Sequence, residues 1–342
     1  MTTKTWLSQF LGVEIARVML AFTLAASTIC STASSAILLN DTWADADRTN
    51  TNLPTSSAVF IGQSADNGSN NVSAGSLNFN LPTNSLKVWT YFTSNSSAPD
   101  ANQPHNAVTS LAVGDMLTAE TSFRMPTGAS TTAGTGKNFR FGIFHDPTSP
   151  RVQMDVNDDG GGENDPWADA TGYMVQLPLH GSSSGTNPLL LGKRVSSNTS
   201  LAGSSGAYAL APTGGTTYSM AADTVYTVQL MLNRVSTSQV DVTASVKQGN
   251  TVLSSVTASD LGTSFGGTAV AAGLPGSQLP YTNFDHFFIR NSDSTQVNPQ
   301  PNGDFRFTNF RVEHKPIPEP STLSLLGLAT ALFATARIAL QR

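Results

Sequence analysis

A single cysteine, Cys30, serves the whole 342-residue chain, so no disulfide framework can form within it. Basic charge is also short. Lysine and arginine number 18 against 23 aspartates and glutamates, a formal net charge of -5, which leaves no cationic excess to neutralise phosphates and excludes a nucleic-acid partner on charge. Charged residues of both signs make up only 12% of the chain, too few for a solvating disordered protein or a coiled coil. Helical patterning is missing from residues 37–315: nowhere do apolar residues hold the i, i+3, i+4, i+7 spacing with caps beyond two turns. That stretch also lacks G-x-S-x-G, H-E-x-x-H and any Gly-rich phosphate loop, which removes the common hydrolase, zinc-protease and nucleotide-binding signatures.

Present instead are Ser, Thr, Asn and Gly around short runs of alternating apolar residues. Such runs span 116–125, 138–144, 173–179, 225–232, 240–246 and 304–312. Phe139, Phe141 and Ile143 fall on one face of their run. In the last run, Phe305 and Phe307 alternate, then Phe310 and Val312 resume one residue out of phase, which predicts a bulge at Thr308-Asn309. Runs 225–232 and 240–246 read as a hairpin, and Lys247-Gln248-Gly249-Asn250-Thr251 supplies the next turn. The row Lys87 to Phe92 sets Val88, Thr90 and Phe92 on one face and Trp89 and Tyr91 on the other. The Ser/Gly/Thr-rich segment 181–217 reads as long surface loops. The fold class expected is all-β, a two-sheet antiparallel jelly-roll sandwich over residues 37–315, with a division into two domains near residue 196 as the alternative.

The two ends read as addresses. Lys4 and Arg17 precede the apolar stretch Val18 to Ala26, and small residues follow to Ser34-Ser35-Ala36: the layout of an export signal over residues 1–36, with cleavage after Ala36. Cleavage would remove Cys30 and leave a mature chain without thiols, which suits an oxidising compartment. At the other end, Ile317-Pro318-Glu319-Pro320-Ser321-Thr322 leads into an apolar run from Leu323 to Ala336, then Arg337 and a terminal Arg342. Residues 316–342 resemble the PEP-CTERM sorting signal: a Pro-Glu-Pro motif (Pro318, Glu319, Pro320), a hydrophobic helix and a basic end. The usual arginine cluster is thinned here to Arg337 and Arg342. The resemblance implies a bacterial surface or matrix protein, inserted transiently in the membrane by its tail and handled by an exosortase-type enzyme. Independently, Pro318 and Pro320 hold their segment extended, and 323–340 is just long enough to span a bilayer of roughly 30 Å with its arginines on the cytoplasmic side.

Between these ends, the closing segments Asp285-His286-Phe287-Phe288-Ile289-Arg290 and Asp304 to Val312 resemble a concanavalin A-type lectin/glucanase sandwich. That fold hosts glycanases with two carboxylates about 5 Å apart on adjacent strand positions. Only Glu120, Glu163 and Glu313 are glutamates in this part of the chain, and Glu163-Asn164-Asp165-Pro166-Trp167-Ala168 stops short of the glucanase E-x-D-x-x-E. A hydrolase would therefore have to draw carboxylates from separate strands, such as Glu120 with an aspartate. Among the scattered histidines, His145 with Asp146 at a strand end stands out without a role.

The run Asp155-Val156-Asn157-Asp158-Asp159-Gly160-Gly161-Gly162-Glu163 begins like a calcium loop, D-x-N-x-D-G. Pro166 at its twelfth position excludes an EF-hand, so Asp155, Asn157 and Asp159 with Glu163 would form an isolated calcium site, the alternative being a solvated acidic turn. Trp167 and Tyr173 follow closely and could offer aromatic faces to a sugar ring. The reading that joins these features is a non-enzymatic exported protein bound to or embedded in extracellular polysaccharide. A glycan-active hydrolase and a purely structural matrix protein are the alternatives.

Overall fold

In a computed structural model the chain is described over residues 34–62, 70–79, 86–93, 108–125, 139–147, 152–155, 167–179, 188–197, 201–203, 205–291 and 305–317. The export signal before Ser34, the tail from Pro318 onward, and Asn157, Asp159 and Glu163 lie outside these residues. Among the described residues no helix is long and apolar enough to cross a membrane.

Two large antiparallel sheets carry the chain. The ten-stranded sheet runs, edge to edge, through β16 (Thr268–Ala269), β15 (Ser264–Phe265), β14 (Thr251–Asp260), β13 (Gln239–Gln248), β12 (Val225–Ser236), β7 (Met116–Arg124), β19 (Phe305–Lys315), β4 (Ser76–Phe79) and β3 (Asn70–Ser73), with β1 (Ala36–Asp41) added to β19. The seven-stranded sheet runs through β11 (Tyr208–Leu210), β10 (Leu190–Arg194), β9 (Thr171–Leu177), β8 (Phe139–His145), β18 (His286–Asn291), β5 (Leu86–Tyr91) and β2 (Val59–Gly62). A small ribbon pairs β17 (Asn283–Phe284) with β6 (Thr109–Ser110).

Alternation builds the core. Along β7 the side chains switch regularly between buried and half-buried, with Leu117, Ala119 and Phe123 inward. Their partners Tyr226, Val228, Leu230 and Leu232 on β12, and Phe307, Phe310 and Val312 on β19, turn the same way. From the facing sheet, Phe139, Phe141, Ile143, Val175, Phe287 and Ile289 complete one continuous hydrophobic cluster. Phe287 meets Phe310 edge-on at 4.8 Å between ring centres, an aromatic contact that ties the two sheets together. The register of β19 slips between Phe307 and Asn309, the bulge that the phase change in its phenylalanines implied.

Three expectations need adjustment. Segment 181–217 is not all loop: β10 and β11 lie within it, with Leu191 fully buried, because short strands among Ser and Gly leave little periodicity to read. The β12–β13 hairpin is tighter than its apolar run suggested, since polar Asn233 and Arg234 still pair with Asp241 and Val240. No division falls near residue 196: Ser35–Lys315 is one compact unit, and β10 and β11 flank that position within a single sheet.

Candidate functional site

The outer faces of the two sheets differ. On the seven-stranded sheet, the outward residues Trp89, Tyr91, Phe144, Met174, Tyr208 and Phe288 are roofed by Val152, Trp167, Leu201 and Ala202 into a second hydrophobic core. Trp167 stands edge-on to Trp89 at 4.8 Å and to Phe288 at 5.3 Å, and is 2% exposed. The polar edges of β5 clamp the roof: Trp89 Nε1 donates to the Val152 carbonyl at 2.8 Å, and the Val152 N–H donates to Tyr91 Oη at 2.9 Å. Here the expected sugar platform is corrected. A ring that stacks on sugar must show a face to solvent, and the Trp167 ring is buried among other rings. Tyr173 points the opposite way, into the main core, where its hydroxyl donates to Asp260 Oδ2 at 2.6 Å. Trp167 and Tyr173 are not brought together; they lie on opposite sides of one sheet.

Asp155 also has a different partner from the one expected. Its carboxylate takes a two-pronged pair from Arg48, Nη1 to Oδ1 at 2.9 Å and Nη2 to Oδ2 at 2.6 Å, and accepts the Ile61 N–H at 3.0 Å. A guanidinium in that position neutralises the charge a calcium ion would need, so Asp155 serves as a clasp between the roof and β2. Among the described residues no group of three or more His, Cys, Asp or Glu side chains could hold a metal.

At the start of β18, one carboxylate joins two imidazoles: Asp285 Oδ2 lies 3.1 Å from His145 Nδ1, and Oδ1 lies 2.5 Å from His286 Nδ1. Burial alone would raise the Asp285 pKa, but the charge of His286 and the hydrogen bonds from both rings hold it well below the usual carboxylate range. Asp285 and His286 are fully buried, so this His145–Asp285–His286 brace fixes the end of β8 against β18.

The ten-stranded sheet, by contrast, keeps a polar face open. Cross-strand register puts Arg311 of β19 opposite Glu120 of β7, Glu120 opposite Gln229 of β12, and Gln229 opposite Ser245 of β13. The next row along pairs Glu313 with Thr118 and then Met231. Met116, Thr118, Glu120, Gln229, Arg311, Glu313 and Lys315 line a groove of about 380 Å³. Glu120 Oε1 accepts from Gln229 Nε2 at 2.5 Å and lies 3.6 Å from Lys247 Nζ. Arg311 Nη2 donates to Glu313 Oε2. Hydrogen bonds from Ser35 and then Arg311 lower the Glu313 pKa.

Glu120 was legible as a candidate carboxylate; Gln229, Arg311 and Lys315 were not. Their outward positions follow from alternation, but only the β7–β19 and β12–β7 pairings, made between residues far apart in sequence, set them side by side. The groove can donate and accept hydrogen bonds at points spaced by the strand separation of about 4.8 Å.

No family model matches the chain, and no curated protein matches it. Among solved structures, the chain is similar to the basic winged bean lectin crystallised with Tn-antigen, at 11% identity over 84% of this chain and 100% of that one with a TM-score of 0.38. It is similar to an endo-1,3-beta-glucanase from Streptomyces sioyaensis at 13% identity over 82% and 97% of the two chains, TM-score 0.37. An alginate lyase is similar at 13% identity over 84% and 99%, TM-score 0.33. These likenesses concern the β-sandwich shape and assign no ligand.

Proposed function

We propose that this chain is an exported, non-enzymatic carbohydrate-binding protein whose binding surface is the groove on the outer face of the ten-stranded sheet. The observation that carries this reading is the open row of Arg311, Glu120 and Gln229 with Glu313 and Lys315 beside it. Planar side chains that donate and accept in turn match adjacent sugar hydroxyls, each of which also does both. Strand-held positions keep them in place before a ligand arrives, which reduces the entropy lost on binding. The export-signal layout and the Pro318-Glu319-Pro320 tail support delivery to the cell surface or extracellular matrix, where the partners would be polysaccharide and, during sorting, an exosortase-type enzyme.

A screen of soluble polysaccharides against the purified chain, with and without calcium and with reducing-sugar release followed in parallel, tests the reading. Binding without release is expected, weakened by Arg311→Ala. Calcium-dependent binding would instead favour the acidic run of Asn157, Asp159 and Glu163 over this groove; release of reducing sugar would make Glu120 and Glu313 a catalytic pair.

A further inference from the structure

The main core holds a buried pair of complementary reactive groups that the groove reading does not use. Lys193 of β10 and Asp260 of β14 belong to opposite sheets and meet with their side chains fully buried, Nζ lying 2.8 Å from Oδ2 and 2.9 Å from Oδ1. Two further contacts of that nitrogen run to backbone carbonyls, Leu279 at 2.9 Å and Gly262 at 3.4 Å. With two of its N–H directions engaged by carbonyls, the remaining position on the nitrogen faces the carboxyl group. Around that carboxyl, the Gly262 N–H donates to Oδ1 at 2.8 Å and the Tyr173 hydroxyl to Oδ2 at 2.6 Å, while the Tyr281 N–H fixes Tyr173 Oη at 2.8 Å. Burial is the largest influence on both partners and moves them towards each other, lowering the Lys193 pKa and raising that of Asp260. Burial, and after it the neighbouring Asp260 carboxylate, pushes Tyr173 well above its ordinary value, so it keeps its proton to donate. In water an ammonium and a carboxylate resist condensation because hydration holds both charges. Here that hydration is gone, and an amide carries no charge to desolvate.

We propose that Lys193 and Asp260 condense into an isopeptide bond that staples the two sheets, a covalent cross-link in a chain whose single cysteine allows no internal disulfide. The ammonium first passes one proton to Oδ2, giving a neutral amine and a carboxylic acid. The nitrogen lone pair then forms the C–N bond to the Asp260 carboxyl carbon, and the Gly262 N–H meets the negative charge that builds on Oδ1. Tyr173 gives its proton to Oδ2 and recovers one from the nitrogen, so the C–Oδ2 bond breaks with loss of water, Oδ1 returns to a carbonyl and the tyrosine is unchanged. The two protons that leave the nitrogen balance the two that depart in the water, and nothing is oxidised or reduced.

The test uses the purified full chain, incubated in the folded state, then digested with trypsin and read by mass spectrometry. The expected product is a branched peptide joining the Lys193 and Asp260 segments, uncleaved after Lys193 and lighter than its two parts by one water. Lys193→Met removes the nucleophile and should show neither the branch nor the water loss, which separates an isopeptide from a cyclic imide that Asp260 could form with its own backbone. Tyr173→Phe, checked as folded by near-UV circular dichroism, should form the branch on the order of a hundredfold more slowly, a change in rate that a packing role alone would not produce. A parent chain that stays unbranched, or a water loss that persists in Lys193→Met, would overturn the proposal. A branch formed by Tyr173→Phe at the parental rate would overturn the proton transfer assigned to Tyr173.

Discussion

At the scale of single residues, the main core holds one expensive polar feature. Lys193 and Asp260 are both fully buried, with Lys193 Nζ 2.9 Å from Asp260 Oδ1. Burial raises the Asp260 pKa and lowers that of Lys193, opposed by their mutual attraction and by the bonds Asp260 accepts from Tyr173 and the Gly262 N–H. Lys193→Met leaves that carboxylate uncompensated and should cost about 3–5 kcal/mol, whereas Lys193→Met with Asp260→Asn should cost clearly less. Denaturant unfolding of the parent, the two single variants and the double variant reads the coupling. Asp41 sets a pH dependence of its own. Burial raises its pKa to about 6 against hydrogen bonds from the Trp43 and Ser57 N–H groups. The fold therefore favours its neutral form, and this contribution, fullest below about pH 4, is lost as pH rises through 6. Allowing for solvent screening it amounts to about 2 kcal/mol. Thermal unfolding of Asp41→Asn at pH 4 and pH 7.5 should show a smaller difference than the parent does.

At the scale of elements, the long strands were legible because their alternation is strict: β7, β8, β12, β13 and β19 all fall where apolar residues recur at every second position. Even the β19 bulge is written in the spacing of Phe307 and Phe310. The second core was not legible. Its signal is a set of isolated apolar residues, Val152, Trp167, Leu201 and Ala202, in Gly- and Ser-rich connections, and nothing local distinguishes an aromatic ring that covers a sheet from one offered to a ligand. The same limit produced the misplaced platform at Trp167. Trp167→Ala should cost about 3–5 kcal/mol by opening a cavity between Trp89 and Phe288, and should leave polysaccharide affinity unchanged in the variant that still folds. An affinity loss without a stability loss would restore the sugar-stacking role. Gly142 shows how tightly this face is packed. A Cβ there would lie 2.4 Å from the Phe144 ring and 2.7 Å from the Tyr173 carbonyl, so the strand tolerates only glycine beneath the roof.

At the scale of the whole molecule, one sheet face is covered by a second hydrophobic core and the other, among the described residues, keeps a polar row along β7, β19 and β12. No amount of local patterning reveals this, because Glu120, Gln229 and Arg311 are brought together only by pairings across 109 and 191 positions of sequence. The ends of the chain carry a separate expectation: if the proposed export signal is removed after Ala36, intact mass of the secreted product should place its N-terminus at Ile37 and show whether the tail after the Pro318-Glu319-Pro320 motif is kept. The central claim, that the open groove binds carbohydrate without cleaving it, is tested most directly by an equilibrium isotherm of parent and Glu120→Ala protein with whichever polysaccharide the screen returns. The account predicts about a tenfold weaker affinity for the variant with stability within about 0.5 kcal/mol of the parent, since a charged hydrogen-bond partner is lost at a half-exposed position. Equal affinity in the two proteins would contradict it and move binding away from the ten-stranded sheet.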